Sequence, residues 1–153
     1  MDYNVEAVSL ERGPAIAIRE TCTMEDLPQF LANAFTELDA YARDAGAKAS
    51  APPLARYLAV LPEAFDVEAV IPVDTTVPGS GRIHPVELEG GPAVQVLYVG
   101  PYEGLGQVYQ AVESWIHEHQ LAAIAPVREV YLTGPETPPA EHRTLIVQPV
   151  AES

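Results

Sequence analysis

Gly13-Pro14-Ala15-Ile16-Ala17-Ile18 returns 78 residues further along as Gly91-Pro92-Ala93-Val94-Gln95-Val96. At the same spacing Leu27 answers to Leu105, and Phe30, Ala34 and Leu38 answer to Val108, Val112 and Ile116. Pro52-Pro53-Leu54-Ala55-Arg56-Tyr57-Leu58 returns as Pro126-Val127-Arg128-Glu129-Val130-Tyr131-Leu132 at a spacing of 74, and Pro72-Val73 as Pro149-Val150 at 77. Spacings that drift by a few residues between well-matched blocks place insertions in loops, where a folded duplication tolerates them. Two copies make a fused pair and not a solenoid.

Each copy reads as β-α-β-β. In the first, residues 5–10 and 14–20 alternate as strands, with a bend at Gly13-Pro14 because Pro donates nothing to a ladder. Thr23 is a helix cap, and Leu27, Phe30, Leu31, Ala34, Leu38 and Tyr41 share one helical face that ends at Gly46. Strands over 54–61 and 65–73 complete the copy. In the second, strands over 82–88 and 92–99 lead to a helix near 103–119 and strands near 127–133 and 142–149. The expected architecture is a single α+β domain over 1–153, its copies spanning about 1–73 and 82–150 with a junction at 74–81. Two main helices lie on an antiparallel sheet, and pseudo-two-fold symmetry leaves a ligand groove between the copies.

At 153 residues the chain has length enough for a sizeable core without staples. Its one cysteine, Cys22, cannot form an internal disulfide, which fits a reducing cytoplasm. No apolar run is long enough to span a membrane, and the N-terminus lacks the pattern of a signal peptide. A net charge of −14 repels a phosphate backbone and favours cations, so no direct nucleic-acid partner is expected.

The copies differ most tellingly at one strand position. Tyr57 and Tyr131 are repeat mates, and the residue two before each shares its sheet face. Those residues are Ala55 and Glu129. A buried carboxylate there is costly unless a cation, a ligand or hydrogen bonds compensate it. Beside Tyr57 and Tyr131 it would make an anionic point in an aromatic pocket suited to organic cations. The alternative is an exposed Glu paired with an Arg across the sheet. Gly100-Pro101-Tyr102-Glu103-Gly104 supplies either turn and cap chemistry or, through Tyr102, a groove edge. Trp115 serves either the core or a pocket wall. His117 and His119 stand on opposite sides of a helix, while His84 and His142 read as surface or satisfied polar residues. No metal site, nucleotide loop, hydrolase elbow or cofactor motif is present.

Taken in order, Pro52-Pro53-Leu54-Ala55-Arg56-Tyr57, Asp66-Val67-Glu68 with Ile71-Pro72-Val73, Gly100-Pro101-Tyr102-Glu103, Trp115-Ile116, Glu129-Val130-Tyr131-Leu132 and Gln148-Pro149-Val150 resemble the GyrI-like small-molecule-binding family. The same module forms the effector-binding half of AraC-type and MerR-type multidrug regulators. The resemblance implies that Glu129 is the pocket glutamate and that Tyr57, Tyr131, Tyr98, Tyr102 and Trp115 are aromatic walls for bulky aromatic, often cationic compounds. Tyr98 stands where relatives often carry His, and alternation keeps Glu68 structural. No helix-turn-helix segment is read in the chain. Standalone relatives resemble drug-binding proteins, hydrolases of electrophilic cyclopropane-bearing toxins in which Glu129 would be the catalytic base, and gyrase inhibitors. Binding ranks first, hydrolysis second and a gyrase or regulator partner third.

Overall fold

The computed structural model describes residues 3–134 and 136–152. In chain order its elements are β1 (Glu6–Leu10), β2 (Gly13–Cys22), α1 (Leu27–Asp44), β3 (Leu54–Val60), β4 (Phe65–Pro72), β5 (His84–Leu88), β6 (Gly91–Val99), α2 (Leu105–Glu118), β7 (Leu121–Ala123), β8 (Val127–Tyr131) and β9 (Arg143–Glu152). Short 3-10 turns at Tyr102–Gly104 and Pro139–Glu141 precede α2 and β9.

One compact unit is Glu11–Gly90. Its sheet runs β3-β4-β2-β5, every pair antiparallel. Ala15 to Ile18 of β2 and Val67 to Pro72 of β4 are buried without a break, which is why these strands read as apolar runs as much as alternations. α1 packs on β2 and β4 through Phe30, Ala34, Leu38 and Ala42, a row spaced by four that lies along one helical face. The Thr23 hydroxyl accepts the Asp26 N–H at 3.2 Å in the turn leading into the helix. At the other end Gly46, with φ of 78°, reverses the chain, and the Ala47 N–H donates to the Ala42 carbonyl at 2.9 Å.

The second unit comprises Met1–Leu10 and Gly91–Ser153. Its sheet runs β1-β6-β9-β8, again antiparallel, with β7 added along Val150–Glu152 of β9. α2 closes the core with Leu105, Val108, Val112 and Ile116 against Val94, Val96, Ile146 and Val150.

The duplication is therefore one of register as well as sequence. Ile18 faces Ala69 where Val96 faces Ile146, and Tyr57 faces Val67 where Tyr131 faces Thr144. The compact units interleave in the chain, because β1 pairs with β6 and β5 with β2. Each unit thus borrows its edge strand from outside its own repeat. The proline of each Gly-Pro-Ala block is tolerated at the start of its strand, where only its carbonyl need take part: Pro14 stands opposite Glu87 and accepts the Val73 N–H at 3.0 Å, and Pro92 stands opposite Ser9. β7 was not visible in the sequence, since three residues carry no period.

Candidate functional site

β8 carries Glu129 and Tyr131 on one sheet face. Glu129 pairs across the ladder with Ile146, a member of the core under α2, so this is the helix-bearing face. Glu129 is buried, with 7% of its surface exposed. Its carboxylate accepts a hydrogen bond from the Tyr131 hydroxyl at 2.9 Å and another, shorter one from the Tyr109 hydroxyl of α2. Two phenolic donors stabilise the ionised form in a place where bare burial would oppose it. Its burial sets aside the alternative of an exposed Glu.

Tyr102 extends this constellation. Its ring meets Tyr131 edge-on, with centroids 6.1 Å apart and planes at 80°, and stacks on His142 at 4.8 Å and 23°. Partial burial raises the Tyr102 phenol above its ordinary pKa, and the charge of Glu129 adds to the rise. The turn that carries Tyr102 is fixed from below. The Gly100 N–H donates to the His142 carbonyl at 2.8 Å, and the Tyr98 hydroxyl donates to the Pro101 carbonyl at 2.8 Å. Gly100 has φ of 149°, and any Cβ on Gly104 would collide with the Tyr98 hydroxyl.

Of the six residues singled out in the sequence, Glu129, Tyr131 and Tyr102 come together. Tyr98 stands beside them as the post under the Tyr102 turn. Trp115 packs against the α2 core and stacks on His119 at 3.6 Å and 14°. Tyr57 belongs to the other unit, where its ring meets Phe65 edge-on at 5.9 Å.

Tyr109 escaped the sequence reading, although a signal for it existed. It is the repeat mate of Leu31, so the second copy replaces Leu31 and Ala55 by a phenol and the carboxylate it serves. His142, expected to be surface or satisfied, is neither: it is 8% exposed, and neither ring nitrogen has a hydrogen-bond partner.

A second buried charge lies in the Glu11–Gly90 unit. Glu68 accepts from Arg56 Nε at 2.8 Å and Nη2 at 2.5 Å, and its other oxygen lies 3.2 Å from His84 Nε2. The carboxylate is held by Arg56 and His84 within its own unit, which suits the structural role expected for Glu68.

Open hollows occur away from Glu129. One of about 580 Å³ borders His119, Gln120, Leu121 and Glu152, and one of about 270 Å³ borders Pro14, Thr76, Pro85 and Glu87. Neither is lined by Tyr, Trp or a buried carboxylate. Among the described residues no cluster of three His, Cys, Asp or Glu is placed to hold a metal, and no helix is long and apolar enough to cross a membrane.

The chain belongs to the GyrI-like small molecule binding domain family, which it matches over residues 3–151. The C-terminal domain of EcmrR is similar in fold, with a TM-score of 0.88 at 20% identity and 100% of both chains covered. Against the EcmrR chain of an EcmrR–DNA complex the TM-score is 0.87 at 20% identity; 99% of this chain is covered, and it spans 58% of that one. A hydrolase from Listeria innocua is similar at a TM-score of 0.74 and 14% identity, over 97% of this chain and 92% of that one. SAV2435, solved bound to tetraphenylphosphonium, is similar at 0.67 and 19% identity, over 99% and 94%. At such identities the likeness is one of fold. No curated protein matches the chain.

Proposed function

We propose that the chain binds bulky aromatic cations, with Glu129 as the counter-charge and Tyr102, Tyr109 and Tyr131 as the surrounding rings. The observation that carries this reading is a buried carboxylate that accepts hydrogen bonds from two phenols, with a third ring, Tyr102, set against one of them. An organic cation entering among the rings gains both the carboxylate's charge and the ring faces. That a fold neighbour was solved with tetraphenylphosphonium supports the same ligand class. Micromolar affinity corresponds to about −8 kcal/mol, within reach of a few aromatic contacts and one desolvated charge.

The test compares a cation with its uncharged counterpart. Wild type is titrated with 5-ethyl-6-phenylphenanthridinium and with neutral 6-phenylphenanthridine by calorimetry, and Glu129→Gln is titrated beside it. The cation should lose about tenfold or more in the variant, a change of about 1.4 kcal/mol, while the neutral compound is unaffected. Equal losses for both would contradict the role of charge.

A second reading rests on the same carboxylate. A base flanked by phenolic acids suits hydrolysis of an electrophilic cyclopropane: Glu129 takes a proton from water, the water oxygen bonds to a ring carbon as the strained C–C bond breaks, a phenol gives its proton to the carbon released, and the Glu129 proton restores the phenol. Turnover of a cyclopropane-bearing alkylator, followed by mass spectrometry against Glu129→Ala, separates this reading from binding alone. A product yield equal to that of the variant removes it.

A further inference from the structure

Next to the carboxylate, two more side chains break the internal symmetry. By register, Thr144 holds the position of Val67, and two residues earlier His142 holds that of Phe65. Together with Tyr109 for Leu31 and Glu129 for Ala55, the second copy thus replaces four apolar residues by polar ones. Glu129 lies on β8, Thr144 on β9, Tyr109 on α2 and His142 immediately before β9, all toward the helix-bearing face. The first copy shows that apolar residues fill these places well, since Val67 is fully buried and Phe65 packs edge-on against Tyr57. Burial alone therefore does not account for His142 and Thr144.

Nor do internal hydrogen bonds. Thr144 is fully buried and its hydroxyl has no partner; His142 is 8% exposed and both ring nitrogens lack one. Leaving three buried polar atoms unmatched costs stability, and such atoms in a folded protein call for an explanation. Their surroundings supply one. Thr144 is the cross-strand neighbour of Tyr131, whose hydroxyl holds Glu129. Tyr102, itself 45% exposed, stacks over His142 and touches Tyr131 with its edge. His142, Thr144, Tyr131 and Glu129 thus form a continuous polar strip beneath Tyr102.

We propose that His142 and Thr144 form a hydrogen-bonding subsite adjoining Glu129, covered by Tyr102, which selects aromatic cations that carry a neutral amine or hydroxyl group. A neutral imidazole offers one donor and one acceptor, and a threonine hydroxyl offers both. The group that complements them also donates and accepts, as an aryl amine or a hydroxyl does. A cation lacking such a group satisfies Glu129 but leaves the strip unmatched. A site built to hydrogen-bond a ligand discriminates strongly against the analogue without the group.

The proposal rests on Glu129 as the cation site, and a matched pair of dyes separates the two ideas. Ethidium carries two neutral aryl amines on a phenanthridinium; 5-ethyl-6-phenylphenanthridinium is the same cation without them. Wild type should bind ethidium about tenfold more tightly than the amine-free cation. His142→Phe keeps a ring beneath Tyr102 and removes both nitrogens, while Thr144→Val keeps shape and removes the hydroxyl. Each should cut the preference, read as the ratio of the two dyes' affinities for the same protein, at least about threefold. Glu129→Gln should weaken both dyes alike and preserve the preference. Equal binding of the two dyes by wild type, or a preference that survives in both variants, overturns the subsite while leaving the cation site standing. Binding of neither dye by wild type overturns the cation site and the subsite with it.

Discussion

Ala55 and Glu129 occupy the same place in their two units: Ala55 pairs with Ala69 across the ladder and Glu129 with Ile146. Ala55 is fully buried, and the helical position that serves Glu129 through Tyr109 is filled in the first copy by Leu31. The carboxylate and its phenol thus appear together or not at all. Ala55→Glu should therefore destabilise the fold by about 3 kcal/mol or more at neutral pH, because it buries a charge without a donor from the helix. Adding Leu31→Tyr should return part of that loss. Urea unfolding at pH 7 and pH 4 checks both points, since burial raises the pKa of the new carboxyl and its penalty shrinks once it is protonated.

The opposite asymmetry holds on the other sheet face. Arg56 and Glu68 are cross-strand neighbours in β3 and β4, and Val130 and Leu145 hold the matching positions in β8 and β9. The ion pair is deeply buried, with side chains 11% and 5% exposed. Arg56→Ala leaves Glu68 buried without its main partner and should cost about 3–5 kcal/mol. Replacing both residues as the second copy does, Arg56→Val with Glu68→Leu, should be near neutral or stabilising. A double variant as unstable as Arg56→Ala would mean that the pair and its His84 contact specify the fold.

How much of this was legible in the sequence follows from what the period of a repeat can carry. Blocks with a strong apolar rhythm, from Gly13-Pro14-Ala15 to Gln148-Pro149-Val150, gave nearly every strand and both helices within a few residues. Pairing partners were beyond it: nothing local tells that β1 pairs with β6 and not with β2, because edge-strand choice is a long-range property. Glu129 stood out because its repeat mate is a methyl group. Tyr109, His142 and Thr144 were equally exceptional beside Leu31, Phe65 and Val67, yet a tyrosine on an amphipathic helix and a histidine after a proline turn look ordinary. Only the structure brings them to one face. Tyr98 and Trp115 were singled out by the resemblance; Tyr98 hydrogen-bonds the Pro101 carbonyl beneath the Tyr102 turn, and Trp115 packs against the core under α2.

Acid should weaken the fold through two surface carboxylates. Arg19 grips Asp66 with two bonds of 2.9 and 2.6 Å, and Arg12 grips Glu87 with two of 2.7 and 2.9 Å. In each case the hydrogen bond with the guanidinium leads in holding the carboxyl below its ordinary value. A folded pKa below the unfolded one gives stability that is full above the unfolded value, about 4, and is lost as pH falls through the folded value. Asp66→Asn should therefore be less stable than wild type by a constant amount above about pH 5. The gap should close toward pH 2, and 1 M salt should shrink the Glu87 contribution most, since that pair is the more exposed. Thermal midpoints across this range, with and without salt, provide the check.

The turn bearing Tyr102 gives the sharpest packing test. Gly104 leaves room for the Tyr98 hydroxyl, which in turn holds the Pro101 carbonyl. Gly104→Ala drives a methyl into that hydroxyl and should cost about 1–3 kcal/mol, with the Tyr98 ring or the turn forced to move. Tyr98→Phe alone should cost about 1 kcal/mol for its lost hydrogen bond. In the double variant the worst contact is gone, so its loss should fall below the sum of the single losses. That coupling, read from chemical denaturation of the four proteins, distinguishes a steric seat from independent effects. Because Tyr102 rides on the same turn, Gly104→Ala should also weaken binding of the amine-bearing cation, whereas simple additivity with unchanged binding would show that Tyr98 does not position it.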